Sequence, residues 1–258
     1  MSAISSVYSQ NTRSYTDYGN FASGKKINSA ADGAAELSII QKEESQIRGT
    51  DAGTNNIASA KDMLQVSDGA LAQITDNLQR MRELAVQASN TALMTDADRS
   101  AVQMEIDQLK QGISDIASQT SFNTKNILDG SQKEFHIATD ANGGGMEIST
   151  GDATLKALGI EDFDVTGDFD LSDIDKALES ISSTRSNGGA QMNALDHAYS
   201  NNTNYLLNTT GAKSRLEDLD FPKAISDLKK KETLQQYQFF MQRKQTQEEE
   251  ARMFRMFM

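Results

Sequence analysis

The sequence predicts a mainly α protein, a long antiparallel helical rod or coiled-coil bundle with a small β-hairpin region. Three observations carry that expectation. Between Asn55 and Ala88, the positions Ile57, Ala60, Leu64, Ser67, Leu71, Ile74, Leu78, Met81, Ala85 and Ala88 keep strict three-four spacing, and all but Ser67 are apolar. Val102, Ile106, Leu109, Ile113 and Ile116 repeat that spacing further on. Two short alternating runs, Phe135-His-Ile-Ala and Met146-Glu-Ile-Ser, flank Asp140-Ala-Asn-Gly-Gly-Gly145, the pattern of a hairpin.

Composition points the same way. The chain has 258 residues, enough for one large or two small domains. Only 6% are aromatic, there is no Trp and Pro222 is the single proline, which suits long helices and slender bundles better than a thick core. A net charge of −12 argues against a nucleic-acid backbone or an anionic membrane surface as partner. The lack of cysteine removes disulfides, thiolate metal sites and a cysteine nucleophile. No run approaches the ~20 apolar residues of a membrane helix. The N-terminal stretch lacks the basic-then-apolar order of a signal peptide, so if the protein leaves the cell it is expected to do so by another route, without a cleaved one.

The first segment puts Ile4, Tyr8, Tyr15, Tyr18 and Ala22 on a weak heptad with Asn11 in its seam, a helix that is marginal without a partner. Gly24 breaks it. Asp32 or Ser29 is then expected to cap a helix from Ala34 to about Arg48, with the long helix starting after Gly53. Burying the seam of that helix gains on the order of 10 kcal/mol. Exposed, it gains nothing and still bears the ordering entropy. It therefore needs partners. The first is a helix from about Ala97 to Gln119, made antiparallel by the short turn from Asn90 to Asp98.

After Ser121 comes the hairpin, then a smaller strand or turn near Phe163 to Phe169. Ser172 and Asp175 have the spacing of a capping box. They open the second partner, whose stripe of Ile174, Leu178, Ile181, Met192, Leu195, Tyr199 and Leu206 reaches Leu219. Pro222 marks a break, and a last helix runs from Lys223 towards Met258. The two chain ends, both helical, are expected to meet.

Four segments resemble the bacterial flagellins. Ala22-Ser-Gly-Lys-Lys-Ile-Asn-Ser-Ala-Ala-Asp-Gly-Ala-Ala35 is similar to that family's early motif, and Leu78-Gln-Arg-Met-Arg-Glu-Leu-Ala-Val-Gln-Ala-Ser-Asn90 to its most typical segment. Thr120-Ser-Phe-Asn-Thr-Lys-Asn-Ile-Leu128 and Ser214-Arg-Leu-Glu-Asp-Leu-Asp220 match two more. The resemblance implies a flagellar filament subunit, extracellular and self-assembling. It implies inner-tube helices at residues 1–24 and 222–258, a rod from residues 25–129 and 172–221, and a short variable insert at 130–171. Only about 43 residues separate Leu128 from Ser172, so the outer domains of longer relatives are essentially missing.

The chain also departs from the family pattern. Glu36 and Ala194 replace a small residue and an arginine, and Gly188 replaces a leucine. The helix before Gly24 is short. Gln242-Arg-Lys-Gln-Thr-Gln-Glu-Glu-Glu250 and Met253-Phe-Arg-Met-Phe-Met258 replace the usual ending.

No catalytic constellation is present: His136 and His197 have no Ser-His-acid spacing and no His-Glu-x-x-His. No cofactor is expected. Asp162, Asp164, Asp170 and Asp173 occupy positions 1, 3, 9 and 12 of an EF-hand-like loop with Gly167 at position 6, a partial match to a Ca²⁺ site. The plainer reading is an acidic turn capping the next helix.

The other candidate surface is the polar face of Gln79, Arg80, Glu83, Leu84 and Gln87. As bare chemistry it is a solvated face with Arg80–Glu83 and Gln79–Glu83 pairs. Leu84, off the seam among charges, suggests a contact surface. The resemblance implies that this face, with Glu105, packs on the next subunit and is bound by an innate-immune receptor. The other partners it implies are further copies of the chain, the flagellar export apparatus, an export chaperone and the filament cap. Competing readings are a hook–filament junction protein or a minor, non-polymerising flagellin-like chain, and, from another class, a Ca²⁺-dependent binding module.

Overall fold

The computed structural model describes residues 18–90, 93–132 and 134–256. The expected seam of Ile4, Tyr8, Asn11 and Tyr15 lies outside them. Residues 18–23 are helical. In chain order follow α1 (Ala34–Ala88), α2 (Asp96–Gln119), β1 (Ser121–Phe122), β2 (Lys125–Asn126), β3 (Phe135–Ala138), β4 (Gly145–Ile148), α3 (Leu155–Leu158), α4 (Leu171–Glu217) and α5 (Phe221–Met256). Two compact units divide them: residues 46–207, and the flanks up to 45 with those from 208.

Every position of the 57–88 seam is buried, Ser67 included. In the 46–207 unit, α1 contributes Ile57, Ile74, Leu78 and Met81 to one core. It meets Ile106 and Ile113 of α2, Ile174, Ile181 and Leu195 of α4, and Ile127, Leu128, Ile148, Ile160 and Val165 from the connecting segments. Thr95 caps α2 through a full capping box: its hydroxyl accepts from the Asp98 amide, and the Asp98 carboxylate accepts from the Thr95 amide at 2.9 Å.

Gly53 does not separate two helices. It lies inside α1, which is unbroken from Ala34 to Ala88. Its reason is a close approach, as a Cβ on Gly53 would sit 2.4 Å from the Thr139 carbonyl oxygen and one on Gly49 would sit 2.8 Å from the Ala141 Cα. The two glycines, four apart on one face, form a notch that receives the β3–β4 hairpin. Asn56 Nδ2 donates to the Ala138 carbonyl at 3.0 Å, and Asn202 Nδ2 of α4 donates to that of Thr139 at 2.7 Å. The hairpin forms where it was expected, its strands paired with Phe135 opposite Ile148 and Ala138 opposite Gly145.

Three local expectations are corrected. Asp32 does not cap α1; its Oδ2 accepts from the amides of Asn28 and Ser29 and from the Ser29 hydroxyl, closing its own turn. These bonds hold its pKa below the ordinary carboxylate value, the Asn28 amide first. Ser172 and Asp175 form no box. Asp170 is the residue that caps α4, accepting from the Ser172 amide at 2.9 Å and the Ser172 hydroxyl at 2.6 Å. Residues 163–169 form a loop held by Phe163 and Phe169, ring edge to ring face at 5.9 Å. A small β1–β2 hairpin, turning through Asn123 and Thr124 at positive φ, and the one-turn α3 had no sequence expectation.

In the flanking unit, residues 24–26 lie against 215–219. The Lys26 amide donates to Glu217 and that of Leu219 to Gly24, at 2.7 and 2.9 Å. Lys25 pairs with Glu217 at 2.5 Å, and the rings of Phe21 and Phe221 stand 6.1 Å apart. The chain break precedes Pro222, which sits in the first turn of α5, where a missing N–H costs nothing.

Candidate functional site

Spacing of four puts Gln79, Glu83 and Gln87 in a row on α1, and all three are exposed. Arg80 lies beside them. Its Nε and Nη2 donate to Glu105 Oε1 on α2 at 3.0 and 2.8 Å, while Nη1 donates to Glu83 Oε2 at 3.1 Å. One planar guanidinium thus ties two helices and its own next turn, a geometry that a lysine cannot copy. The hydrogen bond to Glu105, then that to Glu83, raises the Arg80 pKa. Arg80 and Glu105 remain about half exposed, at 50% and 45%. The face is therefore both organised and open to a partner.

Leu84 does not belong to it. Only 2% exposed, Leu84 is packed in the core of its own chain. A two-stranded seam would leave this position outside. Here α1 is flanked on two sides, by α2 through Arg80–Glu105 and by α4 through Arg82–Asp175 at 2.6 Å and Arg185–Asp68 at 2.8 Å. Lys61 and Asp196 make a further pair between α1 and α4. The apolar stripe accordingly widens beyond the heptad to take in Met63 and Leu84.

The acidic loop does not gather its carboxylates. Asp164 Oδ1 accepts from the amide and hydroxyl of Thr166, Asp170 caps α4, and Asp173 pairs with Lys176 at 3.0 Å. Its own bonds to Thr166 lower the Asp164 pKa, and those to Ser172 lower that of Asp170. The loop backbone is engaged as well, the Val165 amide donating to Gln103 Oε1 at 2.8 Å. Among the described residues no three His, Asp or Glu side chains converge as a metal site. The histidines are likewise apart: His136 faces Glu147 across the hairpin, and His197 is an exposed residue of α4. None of the helices described is long and apolar enough to cross a membrane.

The pattern of the bacterial flagellin N-terminal helical region matches residues 2–133, and that of the C-terminal helical region matches residues 171–249. The chain belongs to the bacterial flagellins. It is 32% identical to a flagellin of Bacillus subtilis over 92% of this chain and 90% of that one. It is likewise 32% identical to a flagellar filament core protein of Brachyspira hyodysenteriae, over 90% of each. The crystal structure of Bacillus cereus flagellin aligns with a TM-score of 0.50 and 31% identity, covering 57% of this chain and 88% of that one. A putative flagellar hook-associated protein of Vibrio parahaemolyticus aligns at 0.54 over 72% of this chain and all of that one, but at 16% identity the likeness is one of fold alone.

This flagellin is thus a structural subunit of the flagellar filament, in a family of structural proteins rather than enzymes. Sequence reasoning found the Arg80, Glu83 and Glu105 cluster but missed Arg82–Asp175, Arg185–Asp68 and Lys61–Asp196. These pairs join residues 93 to 135 positions apart, and charge spacing within one helix carries no trace of them.

Proposed function

We propose that this flagellin polymerises through its two flanking segments and through the α1–α2 face around Arg80, with the apolar surface of α5 covered by neighbouring copies. The observation that supports this is α5 itself. Ile225, Leu234, Tyr237, Phe239, Phe240 and Met253 are all exposed on one 36-residue helix. Each such side chain gains about 1.5–3 kcal/mol when a neighbour buries it. Left bare, they favour association of any kind.

The Arg80 face, with Gln79, Glu83, Gln87 and Glu105, is the second contact, taken by the next copy in the filament or by an innate-immune receptor on the free chain. The export apparatus, its chaperone and the filament cap are the further partners of such a subunit.

The test is negative-stain microscopy and sedimentation of the full chain under polymerising conditions, beside a Phe239→Ser, Phe240→Ser double variant. The full chain is expected to form filaments. The variant is expected to stay monomeric with an unchanged thermal transition. Filaments from both would remove α5 from the interface. A second reading, a junction or minor subunit, draws on the charged stretch from Gln242 to Glu250. Such a chain would add to the ends of existing filaments without extending them.

A further inference from the structure

Asn-Gly occurs twice in the chain, at Asn142–Gly143 and at Asn187–Gly188. The two places differ in what the second backbone amide can do. Gly188 is inside the 47-residue α4, where ladder bonding and a helical ψ keep its nitrogen turned away from the Asn187 side chain. Asn142–Gly143 is the exposed tip of the β3–β4 hairpin. Gly143 is at φ +81°, and the space around the position where its Cβ would stand is open to 4 Å. Its amide is held only by the Asp140 carbonyl, at 3.3 Å, beyond the usual range for such a bond. The firmer bonds of the turn go elsewhere: Asp140 Oδ1 accepts from the amides of Asn142 and Gly144 at 2.7 and 2.9 Å.

We propose that Asn142 is a site of spontaneous covalent modification, deamidating through a cyclic imide while Asn187 does not. The Gly143 nitrogen, losing its proton to hydroxide, attacks the Asn142 side-chain carbonyl carbon. That C–N bond forms, the bond to the side-chain nitrogen breaks, and the nitrogen takes a proton from water and leaves as ammonia, returning the hydroxide. Water then opens the five-membered imide at either carbonyl. One opening leaves aspartate, and the other leaves isoaspartate, whose backbone runs through the former side chain and is one methylene longer.

The isoaspartyl product has a structural consequence because the hairpin is docked by this very turn. Thr139 and Ala141 sit in the Gly49–Gly53 notch of α1 with no room to shift inward. Lengthening the backbone between residues 142 and 143 breaks the Gly143–Asp140 bond and mis-spaces the Gly144 amide against Asp140. The hairpin then loosens on α1. The modification is a slow, one-way change in the hairpin, and it is independent of how the chain assembles.

The experiment incubates the full-length chain in mildly alkaline buffer at physiological temperature over weeks. A synthetic peptide spanning residues 138–146 and an Asn142→Gln variant are incubated alongside. Peptide mapping by mass spectrometry and labelling with an isoaspartyl methyltransferase follow each site. Residue 142 is expected to gain one mass unit and become a methyl acceptor at least an order of magnitude faster than residue 187, whose amide must first leave the helix. Hydrogen exchange of residues 135–148 is expected to quicken in the aged chain and to stay constant in aged Asn142→Gln. The proposal is overturned if residue 142 stays intact while the peptide is converted, or if residues 142 and 187 react at one rate. It is also overturned in its structural part if exchange in the hairpin rises equally in Asn142→Gln.

Discussion

Arg80 and Leu84 stand one turn apart on α1 and act on different things. The ion pairs of Arg80 lie at the surface, where solvent replaces what a substitution removes. Leu84 fills space in the core. Arg80→Ala is therefore expected to leave the thermal transition of the monomer unchanged and to weaken assembly or receptor binding. Leu84→Ala and Leu78→Ala are each expected to cost about 2–5 kcal/mol of folding stability. Thermal and denaturant melts of the three variants check this, and a Leu84→Ala chain that melts like wild type would return Leu84 to the surface. His136 gives a pH dependence at the same scale. Its Nδ1 faces Glu147 Oε1 at 2.9 Å and its Nε2 faces the Gly143 carbonyl at 3.3 Å, so only the imidazolium can donate to both. The bond to Glu147, then that to Gly143, raises its pKa. The stabilisation of the hairpin is fully present below the unfolded value of about 6.5 and fades as pH rises through the higher folded value. The protection of residues 135–148 against hydrogen exchange, each rate taken relative to the intrinsic rate of a free amide at the same pH, is expected to fall from mildly acidic to mildly alkaline pH, and His136→Phe to abolish that trend.

Among the elements, glycines inside helices do two opposite jobs. At Gly53 the missing side chain admits the hairpin backbone, so Gly53→Ala trades a helix-propensity gain of up to about 1 kcal/mol for a clash with Thr139. The hairpin is expected to undock, seen as faster exchange at residues 135–148 with α1 still helical by circular dichroism. At Gly188 nothing lies within 4 Å of an added Cβ. Gly188→Ala is expected to stabilise the chain by up to about 1 kcal/mol, measured by urea unfolding. The heptad of residues 57–88 was legible because it is a local period. The role of Gly53 was not, since it is set by residues some ninety positions later, and Leu84 looked like a surface residue because the elements that bury it leave no mark on the local spacing of α1. The β1–β2 hairpin escaped notice because two-residue strands show no alternation. What the sequence did expose of the site, Arg80 with Glu83 and Glu105, came from a short-range pair and a family likeness, not from any sign of α2 lying alongside.

For the molecule as a whole, the two units differ in how they are held. Residues 46–207 share a continuous core, whereas α5 beyond its first turns has exposed side chains almost throughout. A helix without a buried face opens at little free-energy cost, and proteolysis follows that opening. Lys223, Lys229, Lys230, Lys231, Arg243 and Lys244 place trypsin sites along it. Near the start of the flanking unit the chain is better anchored, because Gly24, Lys25 and Lys26 are tied to residues 215–219 by backbone and side-chain bonds. Limited trypsin treatment of the monomer is therefore expected to remove residues after about Pro222 first. Cleavage before Gly24 follows, and a product running from about residue 25 to 222 persists. In assembled filaments the same α5 sites are expected to resist, because the apolar side chains between them are then covered. Mass spectrometry of timed digests separates the cases. A monomer whose α5 survives as long as α1 would mean that this helix is already buried in the free chain, and α5 could no longer be the surface that assembly covers.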